Sequence, residues 1–182
     1  MRKNLILLFF VFFFTEVLAS NKKNIIQNLN NIENLSFDFE QNINGKSEKG
    51  NCILEYPKKI FCEYDLKNQK ILVSNGKSLV IKTISSYYNY PLKKTPLNLI
   101  LDKNYLISKV FELEERIVDK SLINFTIQEK NYAINIFFDN QSYDLIGWQN
   151  TDIYQNFNIT FLSAIRKNRV LSKNMFKIPL QN

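Results

Sequence analysis

The sequence predicts a mainly β protein (α+β), built on one large antiparallel sheet of about eleven strands, with short amphipathic helices at two points. Short runs that alternate apolar and polar residues follow one another along the chain, and tight turns separate them. Only two segments show the helical spacing of apolar residues. Since no repeat or second compositional block is visible in the 182 residues, residues 20–182 are expected to form a single domain.

The N-terminal segment, residues 1–19, predicts export from the cytoplasm. Arg2 and Lys3 precede an unbroken apolar run, and Ala19 places a small residue at the usual signal-peptidase spacing. The apolar run is about half of the ~20 residues that a helix needs to span a membrane. We therefore expect cleavage after Ala19 and a mature chain that begins at Ser20. Because Ser20 is not a cysteine, no lipid anchor is expected there, and the mature protein should be soluble.

The charge pattern argues against nucleic acid as a partner. The formal net charge is +7, but the basic residues are scattered. Their densest stretch, Arg166–Lys173, mixes them with uncharged residues and has no interleaved aromatic side chains. A modestly basic protein that works near anionic membranes is the simpler interpretation.

Enzymatic chemistry finds little support in the composition. The chain has no histidine, which removes the commonest general base and metal ligand, so neither a metal nor another cofactor is expected. Carboxylate pairs occur at Asp38/Glu40 and Glu112/Glu114, but they alternate with apolar residues as on the solvated face of a strand. The two cysteines of an exported chain are more often bridged than reactive. No catalytic residue is therefore predicted.

The predicted sheet follows directly after a helix. Apolar residues at i, i+1, i+4 and i+7 from Ile25 predict an amphipathic helix over residues 21–34. From Leu35 the apolar period changes to two, which predicts a strand up to Glu40. Turn signals, including the hairpin dipeptide Asn75-Gly76, then separate further predicted strands at residues 49–55, 59–64, 70–74, 79–83 and 87–90.

A second helical segment interrupts this meander. Thr95 can cap a helix, Pro96 suits its first turn, and Leu97, Ile100 and Leu101 fall on one face. This spacing predicts a short amphipathic helix. The strand pattern then resumes at residues 109–114, 122–130, 132–139, 144–151, 158–165 and 176–178.

Aromatic side chains recur on alternate strand positions, as at Phe37/Phe39 and Phe157/Phe161. In a half-barrel roofed by amphipathic helices these rings would line an apolar cavity. In a sheet that packs tightly under its helices they would fill a core. Periodicity alone leaves both interpretations open.

Short motifs occur in order over nearly the whole mature chain. They are Phe37–Gln41 after the first helix, Gly50–Tyr64, the strand and hairpin Leu72–Leu79, the Pro-initiated helix Thr95–Leu101, Leu145–Trp148 with Asp152, and Met175–Pro179. Their order is similar to that of the periplasmic outer-membrane lipoprotein carrier protein family, LolA. Each motif is weak alone, but six in the correct order behind a signal segment are fairly specific.

This resemblance implies an unclosed antiparallel β half-barrel with a lid of short amphipathic helices, whose apolar interior takes up the acyl chains of lipoproteins. The protein would be a monomeric periplasmic carrier. It would receive its cargo from an inner-membrane ABC-type lipoprotein-releasing complex and pass it to an outer-membrane lipoprotein acceptor. Two alternatives share the fold, the acylated acceptor itself and another lipid shuttle, and an exported enzyme is the weakest alternative.

Alternation and the resemblance together predict which residues line the interior. The candidates are Ile26, Leu29, Phe37, Phe39, Leu97, Ile100, Leu101, Phe125, Phe137, Trp148 and Phe161. The family commonly has an arginine before the turn proline, which is implicated in holding the lid closed by hydrogen bonds. This chain has Tyr56 there, whose phenol can donate one such bond but lacks the fork and charge of guanidinium.

Cys52 and Cys62 stand where the family tends to have bulky apolar residues. A three-residue loop at Tyr56–Lys58 would pair residue 55 with residue 59 and place the two cysteines opposite each other. Directly opposed Cβ atoms lie about 4.5–5.5 Å apart, which is close to bridging distance. We therefore expect a disulfide, and the alternative is two small buried thiols that fill the space of one aromatic side chain.

Overall fold

The computed structural model describes residues 21–128, 133–151 and 156–181. The signal segment with its expected cleavage site at Ala19 and Ser20, and the motif residue Asp152, lie outside the described residues. The strands, numbered along the chain, are β1 (Asn34–Ile43), β2 (Lys46–Glu55), β3 (Lys59–Tyr64), β4 (Ile71–Asn75), β5 (Ser78–Lys82), β6 (Tyr87–Pro91), β7 (Arg116–Val118), β8 (Leu122–Gln128), β9 (Ala133–Asp139), β10 (Leu145–Thr151) and β11 (Phe157–Lys167).

All described strands belong to one antiparallel sheet with the order β6-β5-β4-β3-β2-β1-β11-β10-β9-β8-β7. Strands that follow one another along the chain pair in the sheet, except β6 and β7, and β1 pairs with β11 in the middle. The sheet does not close, because β6 and β7 form its two edges. The prediction of an open, mainly β antiparallel fold is confirmed.

The helices of the described residues lie at two points of the chain, as predicted. They are α1 (Asn21–Asn30), α2 (Leu97–Ile100) and α3 (Lys103–Glu112), with a 3₁₀ turn at Leu92–Lys94 before α2. Helix α1 packs against α3. Ile25 and Leu29 on α1, and Leu106 and Val110 on α3, are buried at the four-residue spacing of one helical face.

The hydrophobic core lies between the helices and one face of the sheet. We call this the inner face and define it by Leu35, Phe37 and Phe39 of β1, which are buried in the main core. Asp38 and Glu40 alternate with them and are exposed on the outer face. The period-two pattern therefore identified the buried face of β1 correctly.

Residues 109–112 form the last turn of α3. The alternation of apolar and polar residues predicted a strand over residues 109–114, and this prediction is wrong. The Asp102 carboxylate caps this helix by accepting a hydrogen bond from a backbone N–H of the first turn. Leu106 and Val110 then bury one helical face in the core. These contacts decide the structure locally, so Glu112 lies on a helix and not on the solvated face of a strand.

The predicted last strand, Phe176–Ile178, is also absent, since these residues lie in a turn and in the segment without regular secondary structure that follows it. The C-terminal segment instead runs alongside β5 and β6. The Tyr87 hydroxyl donates to the carbonyl of Pro179 (3.2 Å), and the Lys82 ammonium donates to the carbonyl of Leu180 (2.9 Å). Side-chain contacts therefore hold this segment where a strand ladder was expected.

None of the helices in the described ranges is long and apolar enough to span a bilayer.

Candidate functional site

An apolar cavity of about 250 Å³ lies between the inner face of the sheet and helix α2. Its wall includes Phe37 and Phe39 of β1 and Trp148 of β10. Its roof is formed by Leu97 and Ile100 of α2, which we call the lid helix. Three residues advance a helix by nearly one turn, so the two roof side chains share one face. The structure thus brings together five of the residues that the sequence predicted for an apolar interior.

Gly50 allows two aromatic rings to meet in the cavity wall. Phe39, Gly50 and Tyr64 occupy one row across β1, β2 and β3. The ring centroids of Phe39 and Tyr64 are 4.9 Å apart in an edge-to-face arrangement. A Cβ atom at Gly50 would lie 2.9 Å from a carbon of the Phe39 ring and would overlap the backbone carbonyl oxygen of Glu63 in β3. Any larger residue would therefore displace this part of the wall.

Cys52 and Cys62 form a disulfide that lines the cavity. Strands β2 and β3 pair in the register that the sequence predicted, with Glu55 opposite Lys59 and the two cysteines opposite each other. Both cysteines are buried on the inner face, and no free thiol remains. The pair therefore contributes an apolar wall and a cross-link between the two strands.

Tyr56 does not make the hydrogen bond to the lid that its position before Pro57 suggested. Its side chain is buried, and its hydroxyl has no hydrogen-bond partner among the described residues. Burial raises the pKa of this phenol. The Lys103 ammonium lies 6.0 Å from the centroid of the ring. The contribution of Tyr56 at this turn is therefore packing.

Lys58 makes the contacts between the β2–β3 turn and the lid. Its backbone N–H donates to the carbonyl of Leu101 (2.8 Å), and its ammonium lies 3.1 Å from the carboxylate of Asp102. We call Lys58, Leu101 and Asp102 the lid latch. Both charged side chains are partly exposed, so this ion pair contributes no more than about 1 kcal/mol.

Four further candidates lie outside the cavity. Leu29, Leu101 and Phe125 are buried in the core beside it. Phe125 packs edge-to-face against Phe138, with ring centroids 6.0 Å apart. Ile26 is half-buried and lines a surface groove between α1 and α3. At these positions the aliphatic and aromatic side chains fill or border a core, which was the other interpretation of the periodic pattern.

The predictions for Phe137 and Phe161 are wrong, because both side chains lie on the outer face of the sheet. Their rings stack with centroids 5.9 Å apart, on either side of Gly147. Phe161 is 44% exposed. In β11 the polar Thr160 lines the cavity, so its aromatic neighbour points away from it.

Sequence reasoning missed the polar residues that line the cavity beside the apolar ones. These residues are Gln41, Lys70, Asn150, Asn158 and Thr160. Polar side chains on strands were assigned to the solvated face, which holds for Asp38 and Glu40 of β1 and fails for Gln41. The available signal was the polar residues in β10 and β11, but only strand pairing brings them to one place.

Glu48 is a buried carboxylate next to this polar part of the cavity. It accepts hydrogen bonds from the Lys70 ammonium (2.6 Å) and the Gln41 amide (2.7 Å). Burial disfavours the charged form, but these hydrogen bonds outweigh it and hold the pKa of Glu48 below its ordinary value. The Lys70 ammonium also lies 4.0 Å from the centroid of the Tyr64 ring. The buried charge is therefore compensated by its neighbours.

A larger cleft of about 860 Å³ lies between the β2–β3 turn and the C-terminal segment. Charged side chains of both signs line it, among them Glu55, Lys59, Lys103 and Arg169. In the described part of the chain, no three cysteine or carboxylate side chains group together as metal ligands would. The smaller cavity is therefore the better candidate for binding an apolar ligand.

An open antiparallel half-barrel with helices over an apolar cavity is the architecture of carrier and binding proteins. The chain belongs to the LolA family, whose model, described as outer membrane lipoprotein carrier protein LolA, matches residues 30–179. The resemblance drawn from the sequence motifs is thereby confirmed.

Several solved structures are similar to this chain. A LolA superfamily protein from Nitrosomonas europaea has 9% sequence identity and a TM-score of 0.45, over 86% of this chain and 97% of that one. The lipoprotein LppX of Mycobacterium tuberculosis has 11% identity and a TM-score of 0.45, over 85% of this chain and 97% of that one.

MucB is a third similar structure, with 9% identity and a TM-score of 0.50, over 88% of this chain and 62% of that one. It also matches in a Pseudomonas aeruginosa complex with MucA. At such identities these likenesses concern the fold alone. Among curated protein sequences, none matches this chain.

Proposed function

We propose that this protein is a periplasmic carrier that binds the acyl chains of lipoproteins and moves them from the inner to the outer membrane. The observation that carries the proposal is the apolar cavity between the inner face of the sheet and the lid helix α2. Membership of the LolA family supports the choice of lipoproteins as cargo. The protein acts by binding and release, without a chemical reaction.

The lid has to move for the cargo to enter. The cavity holds about 250 Å³, below the ~300–1,000 Å³ of ordinary small-molecule pockets, whereas a lipoprotein carries several acyl chains. The ion pair of the lid latch opposes opening only weakly, because both of its side chains are partly exposed. Burial of each methylene group contributes about 0.8 kcal/mol, so burial of one or two methylene groups of the cargo offsets the loss of this ion pair.

The N-terminal segment and the family support the proposed route between the two membranes. We propose that residues 1–19 direct export and are removed, and that the chain from Ser20 acts as one domain and as a monomer. An inner-membrane ABC-type releasing complex supplies the lipoprotein, and an outer-membrane acceptor receives it. Free diffusion between two membranes suits a carrier that holds its cargo in a cavity under a movable lid.

Release of lipoproteins from spheroplasts tests this proposal. Mature protein added to Gram-negative spheroplasts should raise the amount of lipoprotein in the supernatant above a control without protein. Leu97→Glu places a carboxylate on the cavity roof and should reduce this release at least several-fold, because burying acyl chains against a charge is costly. Phe161→Glu is the matched control, since the same change on the exposed outer face should leave release near the wild-type level.

Far-UV circular dichroism establishes that both variants are folded. If wild-type protein releases no more lipoprotein than the control without protein, the carrier function is refuted. If Leu97→Glu is folded and releases lipoprotein as well as wild type does, the cavity is not the site that binds the cargo.

A further inference from the structure

The inner face of the sheet changes from apolar to polar along the strands. The row that contains Phe37 and the Cys52–Cys62 pair is apolar. Two rows further along β1, Gln41 lies opposite Glu48 on one side and opposite Thr160 on the other. The cavity extends over both kinds of row, so one of its ends is polar.

The next row continues this polar end. Asn158 of β11 lies opposite Asn150 of β10, and both side chains line the cavity. Most of these polar side chains are shielded from solvent, as their exposed fractions are 8% for Gln41, 7% for Glu48, 7% for Asn150 and 4% for Thr160. Asn158 is half-buried, but its side-chain oxygen is buried. Buried polar groups are costly unless they form hydrogen bonds, so a buried polar end calls for a polar partner.

The buried charges at this end are paired. The Glu48 carboxylate accepts hydrogen bonds from Lys70, whose ammonium is 2.6 Å away, and from Gln41. The exposed Lys46 ammonium lies 3.9 Å from the other oxygen of this carboxylate. An additional anion would have to compete with Glu48 for Lys70. In contrast, the side-chain oxygen of Asn158 is buried and accepts no hydrogen bond within the described residues. It is an acceptor that a ligand hydroxyl or N–H group can satisfy.

We propose that this polar end is a subsite for the uncharged, hydrogen-bonding part of an amphiphilic ligand, one that carries a hydroxyl or an amide N–H next to its alkyl chain. The alkyl chain lies against the apolar rows, and the polar group lies between Asn150, Asn158 and Thr160. The subsite rests on the proposed function, because it assumes that the cavity takes an acyl chain. The subsite adds to the proposed function that the cavity recognises the polar group next to the alkyl chain, and not the alkyl chain alone.

The single tryptophan of the chain, Trp148, lines the cavity and provides the assay. Its fluorescence is followed while full-length mature protein is titrated with three ligands of equal chain length. These are monolauroylglycerol, which has two hydroxyl groups, methyl laurate, which has no donor, and the laurate anion. We expect monolauroylglycerol to bind about five- to tenfold more tightly than methyl laurate, the effect of roughly one hydrogen bond.

Asn158→Leu removes the acceptor with little change in size. It should abolish the preference for monolauroylglycerol while methyl laurate binds as before. Asn51→Leu on the exposed face of β2 is the matched control and should keep the preference. If Asn158→Leu does not fold, Thr160→Val, which exchanges one hydroxyl for a methyl group, should lower the preference at least twofold.

The outcomes separate the two proposals. Equal binding of the two esters by wild type, or a preference that survives both cavity variants, would overturn the subsite and leave the carrier function standing. Tightest binding of laurate would overturn an uncharged subsite, since it would mean that Lys70 recognises an anion. Absence of binding by all three ligands would overturn the apolar cavity as a binding site, and the subsite with it.

Discussion

Reduction of the Cys52–Cys62 disulfide is predicted to destabilise the protein without unfolding it. The bond closes a loop with a sequence separation of 10 residues. In the chain-entropy treatment, a loop of this length lowers the entropy of the unfolded chain by an amount worth about 2.7 kcal/mol at 25 °C. A typical domain has ~5–15 kcal/mol of stability, so the reduced protein should stay folded.

Urea unfolding of oxidised and reduced protein, followed by Trp148 fluorescence, measures this difference. With a urea dependence of about 1–3 kcal/mol/M, the midpoint should fall by roughly 1–3 M on reduction. The double variant Cys52→Ala/Cys62→Ala should unfold at least as easily as the reduced protein, because it also lacks the two buried sulfur atoms, and it should not respond to reductant.

Two results would refute this reasoning. An intact mass that does not rise by two hydrogens on reduction would show that the cysteines are not bridged. A mass that does rise, together with an unchanged midpoint, would show that the bond does not restrict the unfolded chain, as would happen if the β2–β3 hairpin persisted in the denatured state.

Two further predictions concern the core and the buried carboxylate. Phe125→Ala should lower the free energy of unfolding by about 3–5 kcal/mol, because it leaves a cavity at a buried site. Phe161→Ala on the outer face should lower it by less than about 1.5 kcal/mol, because this variant loses mainly the stacking on Phe137. Equal losses of the two variants in urea unfolding would contradict the assigned faces. Glu48→Gln should lower stability at pH 7 by about 1–3 kcal/mol, because Lys70 and Gln41 bond the charged carboxylate. Since the pKa of Glu48 is lowered on folding, this contribution is present above the ordinary value of 4.5 and is lost as the pH falls through the lowered pKa. Unfolding midpoints of wild type and Glu48→Gln should therefore converge as the pH falls below 4.5. A difference that stays constant with pH would contradict the hydrogen-bonded carboxylate.

The sequence patterns were sufficient where local chemistry decides the structure. Tight turns fixed the β2–β3 register, so the pairing of Cys52 with Cys62 followed from counting residues outward from Pro57. Pro96 and the apolar spacing after it located helix α2 in the lid. Each of these features depends on neighbours within about a dozen residues, and such contacts are visible in the chain itself.

The patterns failed where alternation had two possible meanings. Residues 109–112 alternate as a strand would, but the Asp102 cap and the buried face of Leu106 and Val110 make them helical. In β11 the aromatic Phe161 was assigned to the interior, and the structure places it outside. A period of two separates the faces of a strand without stating which face is inside.

The sequence by itself determined the antiparallel sheet, the positions of helices α1 and α2, the disulfide register and, through its motifs, the family with its open sheet. Only the tertiary structure decided which side chains enclose the cavity and that one end of it is polar. The physical reason is that Gln41, Asn150 and Asn158 come from three different strands, and the pairing of β1 with β11 and of β11 with β10 brings them together. Contacts between residues more than a hundred positions apart leave no local signal in a single sequence.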